Sequence, residues 1–179
     1  MKFSYKKLAM GVLASVMLAG AASAGELLVY SSTDADNLKY YMDNFQKDNP
    51  DIKVKVVRES TGTMAAKMMA EKDNPQADVL FEMAATVALN METQGMFHPY
   101  TPKGMDKIDQ RYVDKEGEVN WVGNYGWAGC ICWNTVEAKK LGLPKPKSWA
   151  DLTNPVYKGL ISMPNPNSSG TGFLDVSSW

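Results

Sequence analysis

The chain has 179 residues, 45% of them hydrophobic, with 19 basic and 20 acidic side chains and a formal net charge of −1. That length suffices to bury one good core, or one domain and a piece of a second. The slightly acidic balance gives no electrostatic footing for nucleic acid or an anionic membrane surface as partner.

At the N-terminus Lys2, Lys6 and Lys7 precede an apolar run from Leu8 to Ala22, and the triplet Ala22-Ser23-Ala24 follows. This is the pattern of a secretory signal, with cleavage expected before Gly25. Gly11, Ser15 and Gly20 interrupt the run, which falls short of the ~20 apolar residues of a spanning helix. No later stretch is apolar enough to cross a bilayer, so no stable membrane insertion is expected. Removing residues 1–24 leaves 16 basic against 20 acidic groups, a net charge of −4.

From Glu26 onward short apolar runs alternate with helical periods, which predicts an α/β domain with a largely parallel sheet. Leu27–Tyr30 is a short, continuously apolar strand. Leu38, Tyr41, Met42 and Phe45 then mark one helical stripe, capped by Thr33 or Asp34 and ended by Asn49-Pro50-Asp51. Ile52, Val54 and Val56 alternate with Lys53 and Lys55, giving a strand with one wet face near a sheet edge. Ser60-Thr61-Gly62-Thr63 leads into a second helix, whose Met64, Met68 and Met69 form a core-packing stripe rather than a soft-metal site. Asn74-Pro75 breaks it, Ala77–Phe81 is a third strand, and Glu82-Met83-Ala84 opens a third helix ended by Gly95.

Residues 97–117 are polar and turn-rich, with a short helix around Met105–Val113. The aromatic stretch Val119–Trp133 is expected to be extended and to pass from one lobe toward another. A helix over Thr135–Leu141, the connector Pro144-Lys145-Pro146 and a short helix at Ser148-Trp149-Ala150-Asp151 follow, the last with an Asp variant of the capping box. Leu160–Met163 reads as a strand. Residues 170–179 read as the start of a helix that the sequence does not complete, which predicts a fragment. Cys130 and Cys132, two apart in an apolar run, are expected to be buried free thiols.

Three loops share one chemistry: Ser31-Ser32-Thr33-Asp34, Ser60-Thr61-Gly62-Thr63 and Ser168-Ser169-Gly170-Thr171-Gly172. Each follows a predicted strand and precedes a helix. In open α/β sheets ligands bind beyond the carboxyl ends of the strands, where helix N-termini converge. Free N–H groups and the helix dipole favour an anion there, and hydroxyls add donors without competing charge. Taken singly, each loop is better explained as an ordinary helix cap, and it is the three together that point to a shared anion site. Enzyme readings are weak. The one histidine, His98, has no nucleophile or carboxylate at triad spacing, no Cys/His cluster suits zinc, and no cofactor is indicated.

Trp149-Ala150-Asp151-Leu152, Asn154-Pro155-Val156-Tyr157-Lys158-Gly159, Ile161-Ser162-Met163-Pro164-Asn165-Pro166 and Ser169-Gly170-Thr171-Gly172 resemble the middle region of bacterial extracellular solute-binding proteins. The branch resembled includes ferric-iron-binding and 2-aminoethylphosphonate-binding proteins. Leu28-Val29-Tyr30-Ser31-Ser32, Gln76-Ala77-Asp78-Val79 and Tyr125-Gly126-Trp127 before Trp133-Asn134 agree with it. The resemblance implies a periplasmic-binding-protein type II-like fold with two lobes around a cleft, its C-terminal part missing here. It also implies delivery of the ligand to an ABC permease with its ATPase. The iron binders resembled supply a histidine soon after the first strand and adjacent tyrosines later; here Thr33 and Asp34 follow that strand, and Tyr40-Tyr41 lies within a helix.

The expectation is therefore a monomeric, periplasmic binding module for a small anion such as a phosphonate. Ser31, Ser32, Ser60, Thr61, Thr63, Ser169, Gly170 and Thr171 would donate to the oxyanion, Tyr125 or Trp127 would wall the cleft, and Asp34 or Glu82 would neutralise an amine on the ligand. The domain expectation is a signal peptide over 1–24, a first lobe over 25–118, and a crossover with a partial second lobe over 119–179. The alternatives are a ferric-iron binder and, from another class, a secreted hydrolase with Ser169 as nucleophile.

Overall fold

The computed structural model describes residues 25–115 and 118–178. The expected signal segment, residues 1–24, lies outside them.

Three parallel strands, β1 (Gly25–Ser31), β2 (Ile52–Arg58) and β3 (Val79–Phe81), form a sheet in the order β2-β1-β3. Helices α1 (Ala35–Asp48), α2 (Thr61–Ala70) and α3 (Ala85–Thr93) follow these strands in turn. The burial gradient of β1 explains its central place: Val29 and Tyr30 are 2% exposed and Ser31 is wholly buried, as continuous apolar character requires of a strand flanked on both sides. β2, with Lys53 and Lys55 exposed, lies at an edge, as its alternation predicts.

β3 is shorter than its sequence suggests, because the residue before it pairs through its side chain as well. Asp78 N–H donates to Leu28 O at 2.9 Å, and Leu28 N–H donates back to Asp78 Oδ2 at 2.8 Å. A carboxylate thus stands in for a ladder carbonyl.

Leu38 of α1, Met64 of α2, and Ala88 and Met91 of α3 are buried with β1. The methionine stripe is a core feature at Met64 and grades outward, since Met68 is half-buried and Met69 exposed. The stripe on α1 is likewise covered at Leu38, while Tyr41 stays exposed with its ring edge-on to Phe81 at 5.4 Å. Gly95 (φ +65°) ends α3 in the left-handed conformation. There Gly95 N–H bonds Glu92 O, and Met96 N–H reaches back to Met91 O.

Beyond α3, Met105–Lys107 and Gln110–Tyr112 are single 3₁₀ turns rather than one short helix. The segment 119–133 is extended and irregular, tied to the preceding chain by the antiparallel bridge Val113–Val122. It is held to α3 by Glu92, which accepts from Asn120 Nδ2 (2.8 Å) and Trp121 Nε1 (3.3 Å). Helix α4 (Thr135–Leu141) starts at Asn134, whose side chain accepts from Val136 and Glu137 N–H. The Ser148–Asp151 capping box forms reciprocally: Asp151 N–H donates to Ser148 Oγ at 3.3 Å, and Ser148 N–H donates to Asp151 Oδ2 at 3.0 Å. Helix α5 spans Gly170–Ser177.

Two expectations are corrected. Leu160–Met163 is not a strand: Leu160 and Ile161 are more than half exposed, and no strand pairs with the segment among the described residues. Its apolar run had no neighbouring strand to complete a ladder. Cys130 and Cys132 are free thiols, as expected, but both are exposed, because segment 119–133 runs outside any sheet and covers neither.

Candidate ligand-binding cleft

The three hydroxyl-rich loops, far apart in sequence, meet at one place through direct bonds. Ser32 Oγ donates to the backbone carbonyl of Glu82 at 2.8 Å, which locks the end of β1 to the end of β3. Thr61 Oγ1, in the first turn of α2, donates to Ser32 Oγ at 3.2 Å. The third loop arrives through Gly62, whose N–H donates to Ser168 O at 3.1 Å. This approach needs glycine: a Cβ at residue 62 would stand 2.2 Å from Asn167 O, and one at residue 170 would stand 2.7 Å from Thr61 Oγ1.

These loops line a broad open cavity of about 1540 Å³ at the carboxyl ends of the strands. That exceeds the ~300–1,000 Å³ of a fitted small-molecule pocket, so the site is a groove with room for more wall. Of the residues singled out from the sequence, Ser32, Asp34, Ser60, Thr61, Glu82, Tyr125, Trp127, Ser169, Gly170 and Thr171 line it. Ser31 and Thr63 do not. Ser31 is fully buried, with Oγ accepting from Thr33 N–H at 3.2 Å, and Thr63 lies on an exposed part of α2.

The helix starts around the groove differ in how their N–H groups are used. Asp34 and Ser60 occupy the N-cap positions of α1 and α2 in extended conformation, yet neither side chain accepts a bond from its own helix. At α1 the first-turn amides are thereby left for another acceptor, while at α2 Gly62 N–H is already taken by Ser168 O. At α5 Ser169 Oγ does cap, accepting from Gly172 N–H at 3.3 Å. Plain capping therefore accounts for Ser169 but not for the other two.

Charge in the groove is mixed. Asp34, at the rim, lies 4.0 Å from Arg58 Nη2, while Arg58 Nε donates to Thr33 O at 2.6 Å. Arg111 is held bidentately by Asp109; their hydrogen bonds raise the guanidinium pKa and lower that of the carboxyl. Glu71 is lowered chiefly by its bond from Lys67, with Tyr30 OH also donating to it. Glu82 stands apart. Its Oε1 accepts from Asn124 Nδ2, while Oε2 is out of solvent with no hydrogen-bond partner. Its φ of +55° makes it the one non-glycine with positive φ among the described residues, a conformation costing of order 1–3 kcal/mol.

Asn124 is a cleft residue that the sequence reading passed over, as are Arg111 and Asn120. For Asn124 the signal available was an amide set between Trp121 and Tyr125 in an otherwise apolar, aromatic run. Among the described residues no group of three or more His, Cys, Asp or Glu is placed to hold a metal ion, and no hydrogen bond joins Ser169 to His98.

Residues 74–174 match the bacterial extracellular solute-binding protein family. The chain belongs to that family. Two curated relatives accompany this solute-binding protein. An uncharacterized protein of Haemophilus influenzae is 30% identical over all of the chain, and a probable ABC transporter periplasmic-binding protein of Sinorhizobium fredii is 29% identical over 82% of it. Among solved structures, the periplasmic binding protein AfuA from Actinobacillus pleuropneumoniae, with exogenous fructose-6-phosphate bound, is 32% identical and superimposes on 82% of the chain with a TM-score of 0.68. The solute-binding protein spans 54% and 40% of the two relatives and 46% of AfuA. Its α/β architecture is that of type II periplasmic binding proteins. Nothing in these comparisons supports the serine hydrolase alternative.

Proposed function

We propose that this solute-binding protein serves an ABC importer in the periplasm, capturing a small oxyanion, a phosphonate or phosphate monoester, and handing it to a membrane permease with its ATPase. The carrying observation is the junction of three remote hydroxyl loops, Ser32 to Thr61 and Gly62 to Ser168, beside the start of α1, whose amides its own cap side chain leaves unclaimed. The junction spends its own donors on its joints, Ser32 O–H on Glu82 O, Thr61 O–H on Ser32 Oγ and Gly62 N–H on Ser168 O, so it builds the groove. The first-turn amides of α1 and the Ser169 hydroxyl, whose oxygen accepts from Gly172 N–H, are the donors it leaves for an anion. The likeness to AfuA, which holds a sugar phosphate, supports the same ligand class. Tyr125 and Trp127, both exposed on the groove, are apolar walls ready to be covered when a ligand is enclosed.

The reading divides the molecule into a first lobe over 25–118 and a crossover with part of a second lobe over 119–179, acting as a monomer after loss of the signal segment. Supporting this division, the sheet and its three helices all precede residue 95, whereas 119–133 is extended and irregular. The test is calorimetric titration of the chain with 2-aminoethylphosphonate, fructose 6-phosphate, inorganic phosphate and ferric citrate. Saturable binding of at least one of the first three is expected. Tight binding of iron with no response to the oxyanions overturns the proposal.

A further inference from the structure

Glu82 presents a contradiction inside an oxyanion site. A carboxylate repels phosphate, yet this one lines the same groove as Ser32, Thr61 and Ser169 and is placed there with unusual firmness. Its own carbonyl accepts from Ser32 Oγ at 2.8 Å, and Ser32 Oγ in turn accepts from Thr61 Oγ1, so Glu82 is registered to the loop junction through two hydrogen bonds. Asn124 restrains Oε1 from the crossover side, and Oε2 is left buried without a donor. The backbone adopts a left-handed conformation to bring this about. A strained residue carrying an unsatisfied acceptor beside a ligand groove is the arrangement expected where the missing donor arrives with the ligand.

We infer that Glu82 is a specificity-determining acceptor: it selects ligands that carry a hydrogen-bond donor, hydroxyl or ammonium, spaced away from the oxyanion, and it disfavours bare phosphate. This rests on the oxyanion reading above and extends it to the other end of the ligand. The donor bridges the gap that would otherwise set two negative groups against each other. A ligand without one leaves Oε2 orphaned and adds repulsion.

The test compares wild type with Glu82→Gln, which keeps the shape and an oxygen for Asn124 but removes the charge. Each is titrated with fructose 6-phosphate, 2-aminoethylphosphonate and inorganic phosphate. Wild type is expected to prefer at least one donor-bearing ligand over inorganic phosphate by about tenfold or more, and Glu82→Gln to lose that preference while holding inorganic phosphate as well as wild type or better. Loss confined to the sugar phosphate assigns a hydroxyl as the partner; loss confined to the aminophosphonate assigns an ammonium. An unchanged preference, or an equal fall for all three ligands, overturns the role of Glu82 and leaves the oxyanion site standing. Failure of wild type to bind any of the three overturns both. Should Glu82→Gln melt below wild type, Glu82→Asp, with the charge kept and the arm one methylene shorter, is read by the same preference ratio.

Discussion

At the scale of single residues, carboxylates do three different jobs in this molecule. Asp78 replaces a backbone acceptor at the start of β3, Glu82 is held strained at its end, and Asp151 closes a turn. The N–H groups of Lys147 and Ser148, donating at 2.6 and 3.0 Å, hold the Asp151 carboxyl below its ordinary value. Its folded pKa is depressed, so between the folded and unfolded values the unfolded chain binds more protons and stability rises with pH. The contribution is complete above the unfolded value of about 3.9 and disappears as pH falls through the folded one. Denaturant unfolding of wild type and Asp151→Asn is expected to show a larger stability gap at pH 7 than at pH 2; an equal gap at both would mean that the charge does not contribute. The Ser-x-x-Asp spacing announced this box in the sequence. Asp78 and Glu82 carried no such announcement, because a side chain that substitutes for a ladder carbonyl, or a φ of +55° on a glutamate, follows from what the neighbouring strand requires.

Among the elements, periodicity was informative where a segment found partners to pack against and failed where it found none. The alternation of β2 placed that strand at an edge of the sheet, while the apolar run of β1 marked a strand whose central position only the pairing with β2 and β3 reveals. The run Leu160–Met163 looked equally strand-like but lacks a partner, and Cys130 and Cys132 lie in a segment with no sheet over it. The hydroxyl loops were legible as a class, and their junction at Thr61, Gly62 and Ser168 was not, since no local pattern encodes which loops meet. Gly62 tests that junction by sign. On helix propensity alone Gly62→Ala in α2 gains roughly 0.5–1 kcal/mol. The new Cβ, however, would stand 2.2 Å from Asn167 O and 2.9 Å from Ser168 Cα, both backbone atoms that move only with the loop. A net loss of about 1–2 kcal/mol is expected by chemical denaturation; a gain in stability would show that the loop does not rest on α2.

For the whole molecule, the broad groove and its exposed aromatic walls tie stability to occupancy. A ligand that binds the folded chain alone, present at a hundred times its dissociation constant, adds about 2.7 kcal/mol. For a chain of this size that corresponds to a rise of roughly 5–10 °C in melting temperature. Thermal melts with and without fructose 6-phosphate measure it, and a ligand that binds by calorimetry without shifting the melt would place its site outside the cooperative fold. Fold class and family were legible at this scale because motifs spread from Leu28 to Gly172 agree with one architecture. The ligand was not: Glu82 was legible as a partner for an amine, but its pairing with Asn124, 42 residues on, exists only once the two segments are brought together.

The outer flank of β2 bears on the protein's life in a crowded compartment. An open strand margin is a template onto which another molecule can add its own strand. Lys53 and Lys55 stand exposed along that margin, and Lys55 is paired with Glu26 of the neighbouring strand. Among the described residues no strand lies beyond β2, and an added strand would have to be seated beside the exposed Lys53 ammonium, the kind of edge charge that opposes strand addition.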